Sequence, residues 1–130
     1  MKESSFQIIE QRILEIDYKT NSSFDFTQPV KVDYNINVNS EKKTQNSADV
    51  VIEIEIFKKK GFSEVPFYLT FKILGLFSWN SETNEEELEM LLNINAPAVL
   101  TSYARPFISQ ITLFSGYEPL IIPLINFTKK

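Results

Sequence analysis

The stretch Val65-Pro66-Phe67-Tyr68-Leu69-Thr70-Phe71-Lys72-Ile73-Leu74-Gly75-Leu76-Phe77-Ser78-Trp79 decides how the chain folds. In an extended strand successive side chains point to opposite faces, so the odd positions Phe67, Leu69, Phe71, Ile73, Phe77 and Trp79 share one strongly apolar face. The even face also carries Tyr68, Leu74 and Leu76. A strand apolar on both sides must be covered on both, and toward its C-terminal end the expected covers are the protein's own helix and a second subunit.

Working outward, three more segments read as strands. In residues 30–39, Val30, Val32, Tyr34, Ile36 and Val38 alternate with Lys31, Asp33, Asn35, Asn37 and Asn39. In residues 48–57, Val50, Ile52, Ile54 and Ile56 point inward while Asp49, Glu53 and Glu55 point away. The polar residues 40–47 between them predict a hairpin with a long tip. Residues 6–19 change phase, with Ile9, Gln11 and Ile13 on one face and Leu14, Ile16 and Tyr18 on the other, which a bulge near Ile13 and Leu14 reconciles. Lys58-Lys59-Lys60-Gly61 reads as a solvated turn.

After Trp79 the period becomes helical. Thr83-Asn84-Glu85-Glu86 predicts a capping box opening a short helix that runs to about Leu92. Tyr103, Phe107, Ile111 and Phe114 form a second helical stripe, which Gly116 ends. Pro106 is tolerated only in a first turn, which places the expected start of that helix near Ser102. Residues 118–130, with Pro119 and Pro123 among apolar residues, read as an extended tail.

Composition bounds the function. At 130 residues, with 43% hydrophobic and 23% charged residues, the chain is expected to be a single globular domain over 1–130. A net charge of −4 argues against a nucleic-acid partner. With no His and no Cys, a His or Cys metal site, a thiolate nucleophile and a disulfide framework are excluded. Glu53, Glu55 and the acidic run from Glu85 to Glu89 are the only imitation of acid–base machinery, and they read as solubilising groups. No enzyme, cofactor or metal is therefore expected. Charged residues interrupt the first apolar run too early for a secretory leader, and residues 96–117 are too polar to span a bilayer, so a cytoplasmic location without membrane insertion is expected.

Aromatic content is the outlier, with eleven Phe, five Tyr and one Trp against three Gly. Phe67, Phe71, Tyr103, Phe107 and Phe114 are expected to build most of the contact between sheet and helix. Phe24, Phe26, Tyr117, Leu120, Ile122 and Phe127 lie instead in irregular, Pro-flanked segments, and such segments beside an apolar strand face suit the lining of a groove for extended apolar peptide. Leu74 and Leu76 on the strand, with Phe107, Ile111 and Phe114 on the helix, present apolar surface in more directions than one layer covers. They are the candidate oligomer interface.

Several strings, in order, resemble the SecB family of protein-export chaperones. They are Phe6-Gln7-Ile8-Ile9-Glu10-Gln11-Arg12-Ile13, Gln28-Pro29-Val30-Lys31-Val32-Asp33, Gly75-Leu76-Phe77-Ser78, Ala96-Pro97-Ala98-Val99-Leu100-Thr101-Ser102-Tyr103-Ala104-Arg105 and Pro123-Leu124-Ile125-Asn126-Phe127. The resemblance implies an α+β fold, a four-stranded antiparallel sheet with helices packed on one face, oligomeric as a dimer or a dimer of dimers. It also implies an ATP-independent holdase that binds unfolded segments in apolar grooves. Phe67 and Tyr103 then match groove aromatics and Phe127 the Asn-Phe string. Phe24, Phe26, Leu120 and Ile122 complete the expected client-binding set. The chain stops at Lys130, short of the family's second long helix and of the tail that contacts the SecA motor. Of the acidic patch used for that motor Asp17 remains, with Asn21 and Thr70 where acids align, so contact with SecA is doubtful on these residues. Some SecB-like proteins serve an antitoxin, so an unfolded preprotein and an antitoxin polypeptide both stand as clients. A non-catalytic assembly module with one fixed partner is the alternative from another class.

Overall fold

The computed structural model describes every residue except Gln28, Lys129 and Lys130, so the first residue of the second resembling string lies outside the described residues. Four strands, β1 (Gln7–Thr20), β2 (Tyr34–Thr44), β3 (Ser47–Ile56) and β4 (Phe67–Ser78), pair antiparallel in the order β1-β4-β3-β2. The two central strands carry the cleanest alternation. Ala48, Val50, Ile52, Ile54 and Ile56 of β3 are fully buried, as are Phe67, Leu69, Phe71, Ile73 and Phe77 of β4, all on the face that packs against helices. The expected four-stranded sheet with helices on one face is the observed architecture.

Gly75 sits in the middle of that face. A Cβ there would lie 2.6 Å from Phe77 Cε2 and 2.8 Å from Leu100 Cδ2, so the missing side chain lets Leu100 settle directly on the strand.

The bulge expected in the first strand is present, because Ile13 pairs with Ile73 while Glu15 pairs with Lys72, leaving Leu14 without an opposite number. A second irregularity falls between Ile8 and Glu10. The slip at Leu14 brings Gln11, Ile13, Ile16 and Tyr18 onto the helix side together. As an edge strand β1 is only half covered, and Ile9, Ile13, Leu14 and Ile16 stay exposed.

The hairpin between β2 and β3 corrects two expectations. The strand begins at Tyr34 rather than Val30, and it continues through the polar residues to Thr44, so the tip is only Gln45 and Asn46. Pairing of Ser40 with Val50, Glu41 with Asp49 and Lys42 with Ala48 extends the ladder, and main-chain hydrogen bonds do not require apolar side chains. Thr44 Oγ1 then braces the turn, 2.7 Å from Ser47 Oγ and accepting the Asn46 N–H at 3.2 Å. Among the described residues β2 has no partner on its outer edge, which is lined with Asn35, Asn37, Asn39, Glu41, Lys42 and Lys43.

The helical half differs more. Asn84, not Thr83, is the N-cap: its Oδ1 accepts the Glu87 N–H at 2.8 Å and opens α1 (Glu85–Met90). The chain does not stop near Leu92. A π turn at Leu91–Asn95 carries it into α2 (Ala96–Phe114), with Ala96 N–H bonded to the Leu91 carbonyl. The wider turn falls just before Pro97, whose missing N–H would interrupt an ordinary ladder. The helix thus starts at Ala96 rather than Ser102, and Pro106 lies inside it. Pro106 has no N–H to give the Ser102 carbonyl, and both residues are exposed, so that carbonyl is open to solvent.

The buried stripe of α2 is Leu100, Thr101, Ala104, Ile108 and Thr112, and not the aromatic one. Tyr103 and Phe114 are exposed, while Phe107 and Ile111 are half-buried. Small residues allow the helix axis to approach the sheet, and aromatics flank the seam instead; Phe107 packs on Phe71 at 5.1 Å between centroids. Replacing Pro106 with Ala should restore a donor and remove a ring from the ladder. Offset by the looser unfolded chain, the expected gain is about 1–2 kcal/mol, read as a higher Tm. An unchanged or lower Tm would show that the ring makes a compensating contact. Among the described residues, no helix is long and apolar enough to cross a membrane.

Candidate polypeptide-binding groove

Strand pairing between β1 and β4 ends at Thr20 opposite Phe67, and beyond that point three irregular segments converge. They are the turn after β1 with Phe24 and Phe26, the connection from β3 to β4, and the tail after α2 with Tyr117 and Leu120. Between them lies a groove of about 810 Å³, lined by Phe26, Val30, Val32, Phe57, Phe67, Tyr117 and Leu120 among others.

Aromatic contacts build its floor. Phe67 meets Phe57 edge-on at 5.0 Å and stacks with Tyr117 at 5.7 Å, while Phe26 leans on Tyr117 at 5.2 Å and receives Phe24 edge-on at 5.0 Å. Phe57 takes φ of 64°, a left-handed conformation unusual for a bulky residue, as the chain turns sharply out of β3. Phe67 itself is buried, whereas Phe26 is 60% exposed and forms the open lip.

Polar groups tie the walls without filling the groove. Tyr117 Oη donates to the Pro66 carbonyl at 3.0 Å, Tyr18 Oη donates to Ser115 Oγ at 2.8 Å, and Leu120 N–H donates to Thr112 Oγ1 at 2.9 Å. Burial pushes both phenols above their ordinary value, and for Tyr18 the bond to Ser115 partly offsets that, so both keep the proton they donate at neutral pH.

The structure separates the candidate client-binding residues. Phe26, Phe67 and Leu120 line the groove, and Phe24 backs Phe26 edge-on at its lip. Ile122 does not offer surface: it is 2% exposed in the core, its carbonyl held by Arg105 Nε at 2.7 Å, because the tail needs an anchor to lie flat across the helix. Tyr103 stands apart, over a recess of about 410 Å³ with Ile13, Phe71, Ile73 and Phe107. Phe127 borders a small recess of about 70 Å³ beside Arg105 and Leu124. Phe57, Val30 and Val32 were not expected in the groove; the β-period of residues 30–39 had assigned both valines to a strand.

The candidate interface residues also divide. Leu74 and Leu76 are half-buried on the sheet face turned away from α2, and Phe107, Ile111 and Phe114 lie on the helix side, so the candidate interface residues fall on two faces of the protomer. Asp17 is exposed on the outer face opposite Thr70, which is itself buried; Asn21 is buried and turned inward. On that same face Lys72 lies 3.2 Å from Glu53 and 3.6 Å from Glu15, which hold its ammonium above the ordinary range. Glu53 is thus engaged in an ion pair, and the α1 carboxylates are solvated. Among the described residues no group of acids is arranged to hold a metal ion.

The chain matches the family described as preprotein translocase subunit SecB over residues 2–129. It belongs to the SecB family. Members of this family are chaperones and not enzymes. Relatives named protein-export protein SecB include one from Magnetococcus marinus, 24% identical over 94% of this chain and 79% of its own length. Another, from Ruegeria pomeroyi, is 33% identical over 75% of this chain and 61% of its own length. Among solved structures, the SecB-like chaperone of Mycobacterium tuberculosis, in complex with a ChAD peptide from an antitoxin, superposes with a TM-score of 0.76 at 17% identity, covering 94% of this chain and 91% of that one. A Streptococcus agalactiae protein of unknown function gives 0.52 at 10% identity. The SecB fold, a four-stranded antiparallel sheet with its helix on one face, is thus shared well beyond recognisable sequence identity.

Proposed function

We propose that this SecB-family protein is an ATP-independent holdase that receives extended, unfolded apolar segments of a client in the groove between Phe26, Phe67, Tyr117 and Leu120. The observation that carries it is a wide groove with an aromatic floor and an exposed aromatic lip. The aromatic floor accepts apolar side chains of many kinds, while the Tyr117 hydroxyl and the Asn21 amide are already bonded within the walls, so the surface favours apolar character over a sequence. The chemistry is binding alone; no residue acts as nucleophile, acid or base.

The clients proposed are an unfolded preprotein and an antitoxin polypeptide. The Mycobacterium tuberculosis neighbour, seen with an antitoxin peptide, supports the second, and the names of the curated relatives support the first. A cytoplasmic site of action accompanies both. Contact with SecA would fall to the outer sheet face around Asp17, where Thr70 is buried and Asn21 turns inward, Glu55 lies across Thr70, and Glu15 and Glu53 are paired with Lys72. Mixed with a slowly refolding client at equal subunit concentration, the protein should suppress light scattering without nucleotide. Aggregation at the rate of the client alone sinks the holdase reading.

The exposed Ile9, Ile13, Leu14 and Ile16 of β1, with Tyr103 and Phe114 of α2, support assembly into a symmetric oligomer. The expected solution mass is at least twice 15.1 kDa. A folded, aggregate-free species at the monomer mass at micromolar concentration overturns this.

A further inference from the structure

We infer that Asn21 is the positioning residue that sets the mouth of the groove, an inference that rests on the holdase reading. Asn21 is the first residue past β1, 8% exposed although Ser22 and Ser23 beside it are open to solvent. All its polar groups are engaged. Its N–H donates to the Pro66 carbonyl at 2.8 Å, its carbonyl accepts the Phe24 N–H at 3.2 Å, and Oδ1 accepts the Ser23 N–H at 3.0 Å. Nδ2 donates to the carbonyls of Phe62 and Val65, both at 3.1 Å.

These bonds connect the walls of the groove where no strand ladder does. The Oδ1 and main-chain bonds shape the turn that carries Phe24 and Phe26. The two Nδ2 bonds hold residues 62–65, which deliver the chain into Phe67. The Pro66 carbonyl accepts from both Asn21 and Tyr117 Oη, which joins the tail as a third wall. Only a short amide supplies one acceptor and two protons in this geometry. An aspartate of the same shape offers acceptors alone and would turn a carboxylate toward two carbonyls. A serine keeps an acceptor for the Ser23 amide but does not span to residues 62–65.

The test uses the intact protein with a fluorescein-labelled, unfolded Phe- and Leu-rich peptide, and the variants Asn21→Asp, Asn21→Ser and Leu88→Ala. Leu88 belongs to a separate small cluster with Ala48 and Trp79, so its truncation lowers stability without touching the groove. Both Asn21 variants should bind about tenfold more weakly, and amide exchange should quicken in residues 22–27 and 61–65 while β3 and α2 keep their protection. Leu88→Ala should lower Tm and leave Kd unchanged. Wild-type affinity in both Asn21 variants, an equal loss of affinity in Leu88→Ala, or exchange that rises uniformly overturns the inference. If the wild-type protein ignores the peptide, the holdase reading falls and this inference falls with it. Binding by the wild type with unaltered Asn21 variants removes this inference alone.

Discussion

Gly75→Val is expected to destabilise the fold by about 3 kcal/mol, and Gly75→Ala by about 1–2 kcal/mol. Even one added carbon would lie 2.6 Å from Phe77 and 2.8 Å from Leu100, well inside contact distance. Both neighbours are themselves fully buried, so neither ring nor methyl can swing into solvent. The relief available is to lift α2 from the sheet, which also loosens Ala104 and Ile108. Against a typical domain stability of roughly 5–15 kcal/mol this is a large fraction, visible as a lower urea midpoint at an unchanged slope. A valine variant as stable as the wild type would mean that the helix does not rest on the strand at this point.

Phe26→Asp should cost about 2 kcal/mol of client binding, roughly thirtyfold in Kd, with little change in Tm. The side chain is mostly exposed in the free protein, so its loss barely affects the core, but it forms the lip against which an apolar client segment would lie. A carboxylate there must be desolvated by every client that enters. Asn37→Asp on the outer sheet face adds the same charge away from the groove and is the control. Equal affinity for the Phe26 and Asn37 variants would place client binding elsewhere, with the recess under Tyr103 as the next surface to test.

What could be read from the sequence follows the strength of each local signal. β3 and β4 are buried on one face along their whole length, so a period of two appears unbroken, and the slip of phase at Leu14 announces its own bulge. The far end of β2 is polar on both faces because it is an edge, which makes it look like a loop. The start of α2 was hidden by Pro106, and its inward stripe by larger aromatics at the same spacing: Leu100, Ala104 and Ile108 are less conspicuous than Tyr103, Phe107 and Phe114. In the groove, Phe26, Tyr117 and Leu120 could be found as apolar residues without an obvious core, whereas Phe67 reads as core and came to the groove only through the family resemblance. The bonds of Asn21 and Tyr117 could not, because residues 21, 66 and 117 are brought together only by the completed fold.

The bare outer edge of β2 matters for a protein whose task is to gather sticky chains. A client held by a holdase is unfolded chain at high local concentration, and an open strand edge offers it a row of unpaired main-chain groups, which is how ordered aggregates are seeded. Glu41, Lys42 and Lys43 stand along that edge with Asn35, Asn37 and Asn39, and an incoming strand would have to desolvate them to extend the sheet. With that edge blunted, the proposed capture is left to side chains in the groove, and the protein is a poor template for the aggregation that a holdase prevents.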